Sequence, residues 1–410
     1  MSKSTPLTVA EQIFSEHSGS IATAGSFRIC DVDLVMATDT TAPLAIKAFL
    51  DMGGSKVSKP DKTVFVLDHA SPPPNQNIAN LHKLIRSFAI QQGCLFHDVG
   101  EGVCHQLVIE NKYVKARDLV LGADSHTCTY GAVGTLSIGV GSTDLAATML
   151  TGKSWFKIPQ TIRVKVNGAL LEGIFAKDLI LEIVGKIGAN GAVYKSIEFY
   201  GDFFESCTLS EKETICNMSI EMGAKCGLIC DGSTGLKSDD GASVTRTLEI
   251  DASNLVPMIA KPHTVDNICP VSEVEGTPVQ QIYLGSCTNG RVDDLEIAAK
   301  ILEGKKIARS VRCLIAPASK KVLIQAIEKG IISKLLEAGG TLAPVGCGAC
   351  VGTHNGIPGD GETVLSTTNR NFKGRMGNNK AFIFLGSPAT AAVSALRGEI
   401  TDPRKVWREK

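Results

Sequence analysis

The sequence has no net charge: 42 Lys and Arg are matched by 42 Asp and Glu over 410 residues. That balance gives no electrostatic footing for nucleic acid or for an anionic membrane surface. No apolar run reaches membrane-spanning length. Residues 1–23 are mostly polar and carry no signal-peptide core. The expectation is a soluble, cytoplasmic protein that binds neither membrane nor nucleic acid. Aromatics are scarce, at 5%, and no repeat of solenoid period is present. The cysteines number thirteen, an odd count scattered along a long chain, which argues against a disulfide framework and for reduced thiols. Glycine, by contrast, is plentiful at 41 residues, as expected of an α/β enzyme with many tight loops.

Three of the cysteines stand apart. Cys287 follows the apolar run Gln281-Ile282-Tyr283-Leu284, a buried strand that ends in the tight turn Gly285-Ser286-Cys287-Thr288-Asn289-Gly290-Arg291. Cys347 and Cys350 form a Cys-x-x-Cys in the Gly-rich run 346–352, a loop able to approach a cofactor closely. Most cubane clusters use four cysteines; three can hold three irons and leave the fourth open. Open metal positions are the catalytic ones, and a Lewis-acidic iron can help a hydroxyl leave. Two other readings stay open on these residues alone: a redox pair, and structural zinc with His354 as fourth ligand. The remaining cysteines read as small packing residues.

Residues 1–160 read as one α/β domain. A strand over 63–67 runs into Asp68-His69-Ala70-Ser71, where prolines 72–74 stop it and stiffen the loop. A helix follows with Ile78, Leu81, Leu84, Ile85 and Phe88 on one face. A strand over 119–121 ends in Gly122-Ala123-Asp124-Ser125-His126-Thr127, and a helix spans 143–150. The Gly-rich loop between them lacks the spacing of a dinucleotide fingerprint. In parallel sheets ligands gather beyond the C-terminal strand ends, where Asp68-His69 and Asp124-Ser125-His126 both fall. Residues 161–265 read as a second domain, with an alternating strand over 162–166, a helix over 178–185, and another opened by a Ser210-Glu211-Lys212-Glu213 capping box. Asn217 and Glu221, four apart, then share one helix face. A Pro-containing linker over 261–280 leads into a third α/β domain, 266–410, with a helix over 292–302, a strand over 312–316 and a helix over 320–329. After the cysteine loop comes Asn369-Arg370-Asn371-Phe372-Lys373-Gly374-Arg375, whose arginines suit forked recognition of carboxylates. The charged tail, 401–410, reads as exposed.

Taken in order, Asp68-His69, His105-Gln106, Asp124-Ser125-His126, Asn217 with Glu221, and the cysteine and arginine motifs run through nearly the whole chain. On these motifs the sequence resembles the aconitase superfamily, and most closely the large subunits of its 3-isopropylmalate dehydratase and homoaconitase group. The resemblance implies an aconitase-like α/β fold of three α/β/α domains around an iron–sulfur site, with the swivelling fourth domain absent. It implies a labile [4Fe-4S] cluster held by Cys287, Cys347 and Cys350, with one iron not ligated by cysteine. It also implies that His69, oriented by Asp68, is the acid assisting the departing hydroxyl. His105, Asp124 and His126 would surround the cluster-bound water, and Glu221 would pair with one of those histidines. Asn217 and Asn369 would lie near the cluster. Ser125, Arg370 and Arg375 would bind or support substrate carboxylates. His17, His82, His97, His263 and His354 receive no role.

The sequence departs from the family in two ways. The Gln-Asp-Ala-Thr stretch of one-chain aconitases corresponds to Thr38-Asp39-Thr40-Thr41. The swivelling domain, which in the family supplies a serine base, has no counterpart here, so a small-subunit partner is expected. The implied reaction is loss and re-addition of water on a 2- or 3-hydroxy di- or tricarboxylic acid; for isopropylmalate it is a step of leucine biosynthesis. Homoaconitase, citramalate/citraconate hydro-lyase and 2,3-dimethylmalate dehydratase are the alternatives. An RNA-binding cluster sensor would call for a basic stripe.

Overall fold

The computed structural model describes residues 5–407. Three larger sheets carry it, each with a parallel core. The first has five parallel strands in the order Leu95–His97, Thr63–Val66, Leu34–Thr38, Leu119–Gly122, Leu136–Gly139. Its middle strands are buried throughout, as continuous apolar runs are when helices cover both faces. The second has four parallel strands, Cys226–Ile229, Lys195–Tyr200, Gln160–Asn167 and Arg246–Asp251. The third has seven strands. Five of them are parallel, centred on Gln281–Gly285 between Thr363–Ser366 and Arg312–Ala316. Met258–Ala260 and Ile268–Pro270 extend it in antiparallel fashion. The stretch expected to be a linker therefore contributes a sheet edge, because Ile259 and Cys269 are apolar and buried in the same core.

Other sequence expectations shift in detail. The helix Gln76–Gln92 is capped by Asn75, whose side chain accepts from the Ile78 N–H, and ends at Gly93 with φ +71°. Its buried stripe runs through His82, Ile85, Phe88 and Ala89, whereas Leu84 is exposed. The capping box lies two residues earlier than predicted. Thr208 caps the helix Leu209–Asn217 and closes the box with Glu211, which frees Glu213 to pair with Arg291 inside the protein. That helix stops at Asn217, and Glu221 sits in the following 3₁₀ turn Met218–Met222, so the two do not share one α-helical face. Nor is the tail wholly exposed: Thr401, Asp402 and Val406 are buried.

Candidate functional site

Strand ends build the site. Asp39 follows Leu34–Thr38, Asp68 and His69 follow Thr63–Val66 by two and three residues, and Asp124 follows Leu119–Gly122. From the third sheet, Cys287 follows Gln281–Gly285 and Asn369 follows Thr363–Ser366. The turn into Cys287 is tight. A Cβ on Gly285 (φ +151°) would lie 2.1 Å from the Ala316 carbonyl oxygen, and Ser286 itself takes φ +76°. The Cys347 loop is pinned to the first sheet: the Cys347 N–H donates to the Asp68 carbonyl at 2.7 Å, and the Gly348 N–H to the His69 carbonyl at 3.2 Å.

One cavity of about 250 Å³ is lined by Cys287, Cys347 and Cys350 together with His69, His105 and His126. Asp124, Ser125, Asn369, Arg370 and Arg375 also reach it, as do Thr40 and Val351. Asp68, Asn217 and Glu221 stand behind this wall and hold its members. Asp68 Oδ1 meets His69 Nδ1 at 2.8 Å, and Asp68 Oδ2 accepts the Cys104 N–H at 2.8 Å. His69 Nε2 faces Asp124 Oδ2 at 3.2 Å, and His105 Nε2 faces Asp124 Oδ1 at 2.8 Å. Asp124 thus joins two imidazoles and also accepts the His126 N–H at 2.8 Å. Burial works against its charge, but His105, His126 and His69 hold it well below the usual carboxylate range. Burial likewise opposes charge on His69. The adjoining Cys347 sulfur and Asp68 carboxylate, with the Asp124 hydrogen bond, outweigh it and hold the imidazole well above its ordinary value.

Glu221 is a second hub. It meets His126 Nε2 at 2.8 Å and accepts from Arg370 Nε at 2.8 and 3.0 Å. Arg370 also donates to Ser125 Oγ at 3.3 Å. Burial raises the Glu221 carboxyl, and His126 and Arg370 bring it below its ordinary range. The thiols receive donors of their own. Asn217 Nδ2 donates to Cys287 Sγ at 3.2 Å, Asn369 Nδ2 to the same sulfur at 3.5 Å, and Arg375 Nη2 to Cys350 Sγ at 3.7 Å.

Three buried thiols facing one cavity with N–H donors aimed at two of them fit an iron–sulfur cluster, whose sulfurs are tuned by such bonds. Burial pushes the Cys287 thiol up to about 12, so its ionised form calls for a strong local positive charge, which bound iron supplies. The zinc reading fits less well. His354 does not line the cavity, and its Nδ1 meets Thr353 Oγ1 at 2.8 Å.

Some contributors escaped the sequence reading. Lys177 is fully buried, and its Nζ donates to the Thr367 and Thr368 carbonyls at 2.8 and 2.6 Å, just before Asn369. The same stretch also carries Asp178, Glu182 and Lys186, so nothing in the sequence marked this lysine as the buried one. Arg291 donates to the Cys287 and Thr288 carbonyls at 2.6 and 2.9 Å. Tyr130 places its hydroxyl 3.3 Å from His105 Nδ1.

Comparison with known proteins agrees with this architecture. The model of the aconitase family (aconitate hydratase) matches residues 11–234 and 272–398. The 3-isopropylmalate dehydratase large subunit 2 of Archaeoglobus fulgidus is 48% identical over 97% of this chain and 99% of its own length. Large subunit 1 of the same enzyme from Thermotoga maritima is 48% identical over 97% and 99%. A probable methanogen homoaconitase large subunit from Methanosarcina mazei is 47% identical over 92% and 100%. Among solved structures, holo aconitase X of Thermococcus kodakaraensis shares the fold with a TM-score of 0.53 at 14% identity, covering 88% of each chain. By its sequence, its fold and its near-complete overlap with these relatives, the chain belongs to the aconitase family.

Proposed function

We propose that this chain is the large subunit of a two-subunit, [4Fe-4S]-dependent 3-isopropylmalate dehydratase that interconverts 2- and 3-isopropylmalate through an unsaturated acid. The observation that carries the reading is the convergence of three thiols, three imidazoles and two arginines on one cavity. The names of the relatives supply the substrate and the subunit organisation. Cys287, Cys347 and Cys350 would hold the cluster, with one iron left without a cysteine. When bound, that cluster supplies a Lewis acid for a substrate hydroxyl and carboxylate.

The chain's own side chains have separable tasks in this reading. His69 gives its Nε2 proton to the departing hydroxyl, with Asp68 holding Nδ1. Asp124 keeps His69 and His105 turned toward the same point, and His105 and His126 orient water there. Arg370 and Arg375, with Ser125, bind the carboxylates, and Glu221 keeps Arg370 and His126 in register. Asn217 and Asn369 steady the cluster sulfurs. Closure by a small subunit over the cavity would exclude water and bring the proton-abstracting base. We read 1–160, 161–265 and 266–410 as the three units around the site, and the cytoplasm as its compartment.

The test is anaerobic reconstitution followed by a panel of hydroxy acids, with and without the small subunit from the same source. About four irons and four sulfides per chain are expected, with dehydration of isopropylmalate only when both subunits are present. Zinc in place of iron, or full activity of this chain alone, would refute the reading. The homoaconitase relative keeps that enzyme's hydroxy acid in the panel; preference for it would move the substrate but not the chemistry.

A further inference from the structure

Behind His69 lies a buried anchor that the proposed chemistry does not use. Asp39, 3% exposed, accepts the N–H groups of three consecutive residues of the His69 loop: Asp68 at 3.3 Å and His69 at 2.8 Å on Oδ1, and Ala70 at 2.8 Å on Oδ2. Its remaining hydrogen-bond partner is His82, 2% exposed on the helix Gln76–Gln92, whose Nε2 lies 3.1 Å from Oδ2, while His69 Nδ1 stands 4.0 Å from Oδ1. A carboxylate only accepts, so Nε2 is the donor. His82 Nδ1 has no hydrogen-bond partner among the described residues, so the ring's one hydrogen bond there is to this carboxylate. The other side of the same loop is occupied as well. The carbonyls of Asp68 and His69 receive the N–H groups of Cys347 and Gly348, and Thr353 Oγ1 donates to the His69 carbonyl at 2.9 Å. The loop bearing His69 is therefore gripped from beneath by Asp39 and from above by the Cys347 turn.

We infer that Asp39 and His82 form a positioning pair that sets the His69 imidazole against the reacting hydroxyl and, through the shared loop, steadies the Cys347 turn. The inference rests on the hydro-lyase reading for His69, whereas the grip on the Cys347 turn does not. Neither residue reaches the cavity, so they act through His69 and Cys347, as groups behind a ligand do. Loss of the His82 donor leaves Asp39 with three backbone donors and a freed oxygen lone pair. The carboxylate can then tilt and carry the 68–70 backbone with it.

The test uses the reconstituted full chain with its small subunit, in variants His82→Leu, His82→Gln and Asp39→Asn. Gln can offer an N–H near the position of Nε2, and Leu cannot. His82→Leu and Asp39→Asn should lower kcat by about 10- to 100-fold at unchanged KM, and should release iron faster on exposure to air. His82→Gln should recover most of both losses. If His82→Leu does not fold, His82→Asn replaces it, because its shorter arm withdraws the donor. Wild-type kcat and iron-loss rate in the donor-deficient variants would overturn the inference, as would a His82→Gln variant no better than His82→Leu. If the wild-type holoprotein dehydrates none of the acids, the functional reading fails. Iron loss then decides the anchor by itself, with equal rates in all variants refuting it.

Discussion

At the scale of single residues, the site depends on carboxylates that serve several donors at once. Glu221 meets His126 and Arg370 together. Glu221→Gln keeps the shape but turns one acceptor into a donor, which must face either His126 or Arg370. Loss of the shared charge should lower kcat/KM by about 10- to 100-fold while iron content stays at the wild-type level; iron assay and steady-state kinetics check both. Residue-scale legibility was uneven. Asp68-His69 and Asp124-Ser125-His126 could be located because they end apolar strands. His82 could not, because a polar ring carries no apolar period, and Leu84, which the period selects instead, is exposed in the fold. Only the Asp39 carboxylate beneath the helix distinguishes them.

At the scale of elements, caps and end contacts decide where helices begin and how they dock. Thr208 Oγ1 accepts the Glu211 N–H and Glu211 Oε2 accepts the Thr208 N–H. Thr208→Ala should therefore destabilise the protein by about 1 kcal/mol, and Ser210→Ala should be close to neutral; thermal melts of the two variants compare them. A second element-scale contact ties the helix Val9–Ser18 to the first sheet: His17 Nε2 meets Asp33 Oδ2 at 2.7 Å. Burial disfavours charge on both groups, but their hydrogen bond prevails, raising His17 above 6.5 and lowering Asp33 below 3.8. The raised histidine stabilises the fold fully below 6.5 and loses that contribution as pH rises through its folded value. The lowered carboxylate contributes above 3.8 and loses its part as pH falls through its own folded value. The pair should thus matter most between those limits. Asp33 is 39% exposed at its side chain, so solvent screening keeps the contribution to about 1 kcal/mol or less. Melts of wild type and His17→Gln should differ more at mildly acidic pH than in alkaline buffer; a constant difference would contradict the assignment.

At the scale of the whole molecule, the cavity exists because strand ends of the first and third sheets converge on it, and one buried cation lies behind its third-sheet wall. Lys177 rises from the helix Ala176–Ile187, whose apolar residues share one core with strands of the second and third sheets, and holds two carbonyls and the Asn289 Oδ1 of the third. Burial pushes its ammonium down to about 7, against the pull of Asp294, Cys287 and Cys350. Lys177→Met fills the space but leaves buried acceptors without donors, which should cost about 1–3 kcal/mol. Loss of chain stability should be accompanied by disorder at Asn369, visible as weaker cluster retention. Much of this protein is legible in its sequence: hydrophobic period marks the alternating strands and helices, turn residues mark the strand-end motifs, and the three cysteines with those motifs carry the family resemblance. Those features are local, written within a few residues by burial pattern, turn chemistry and spacing. The tertiary structure alone decided which carboxylate serves which histidine, that Asp39 and His82 brace the His69 loop, that a lysine backs Asn369, and that a stretch reading as a linker completes a sheet. These are contacts between residues tens to hundreds of positions apart, and a hydrogen bond across such a gap leaves no periodic trace in the chain that makes it.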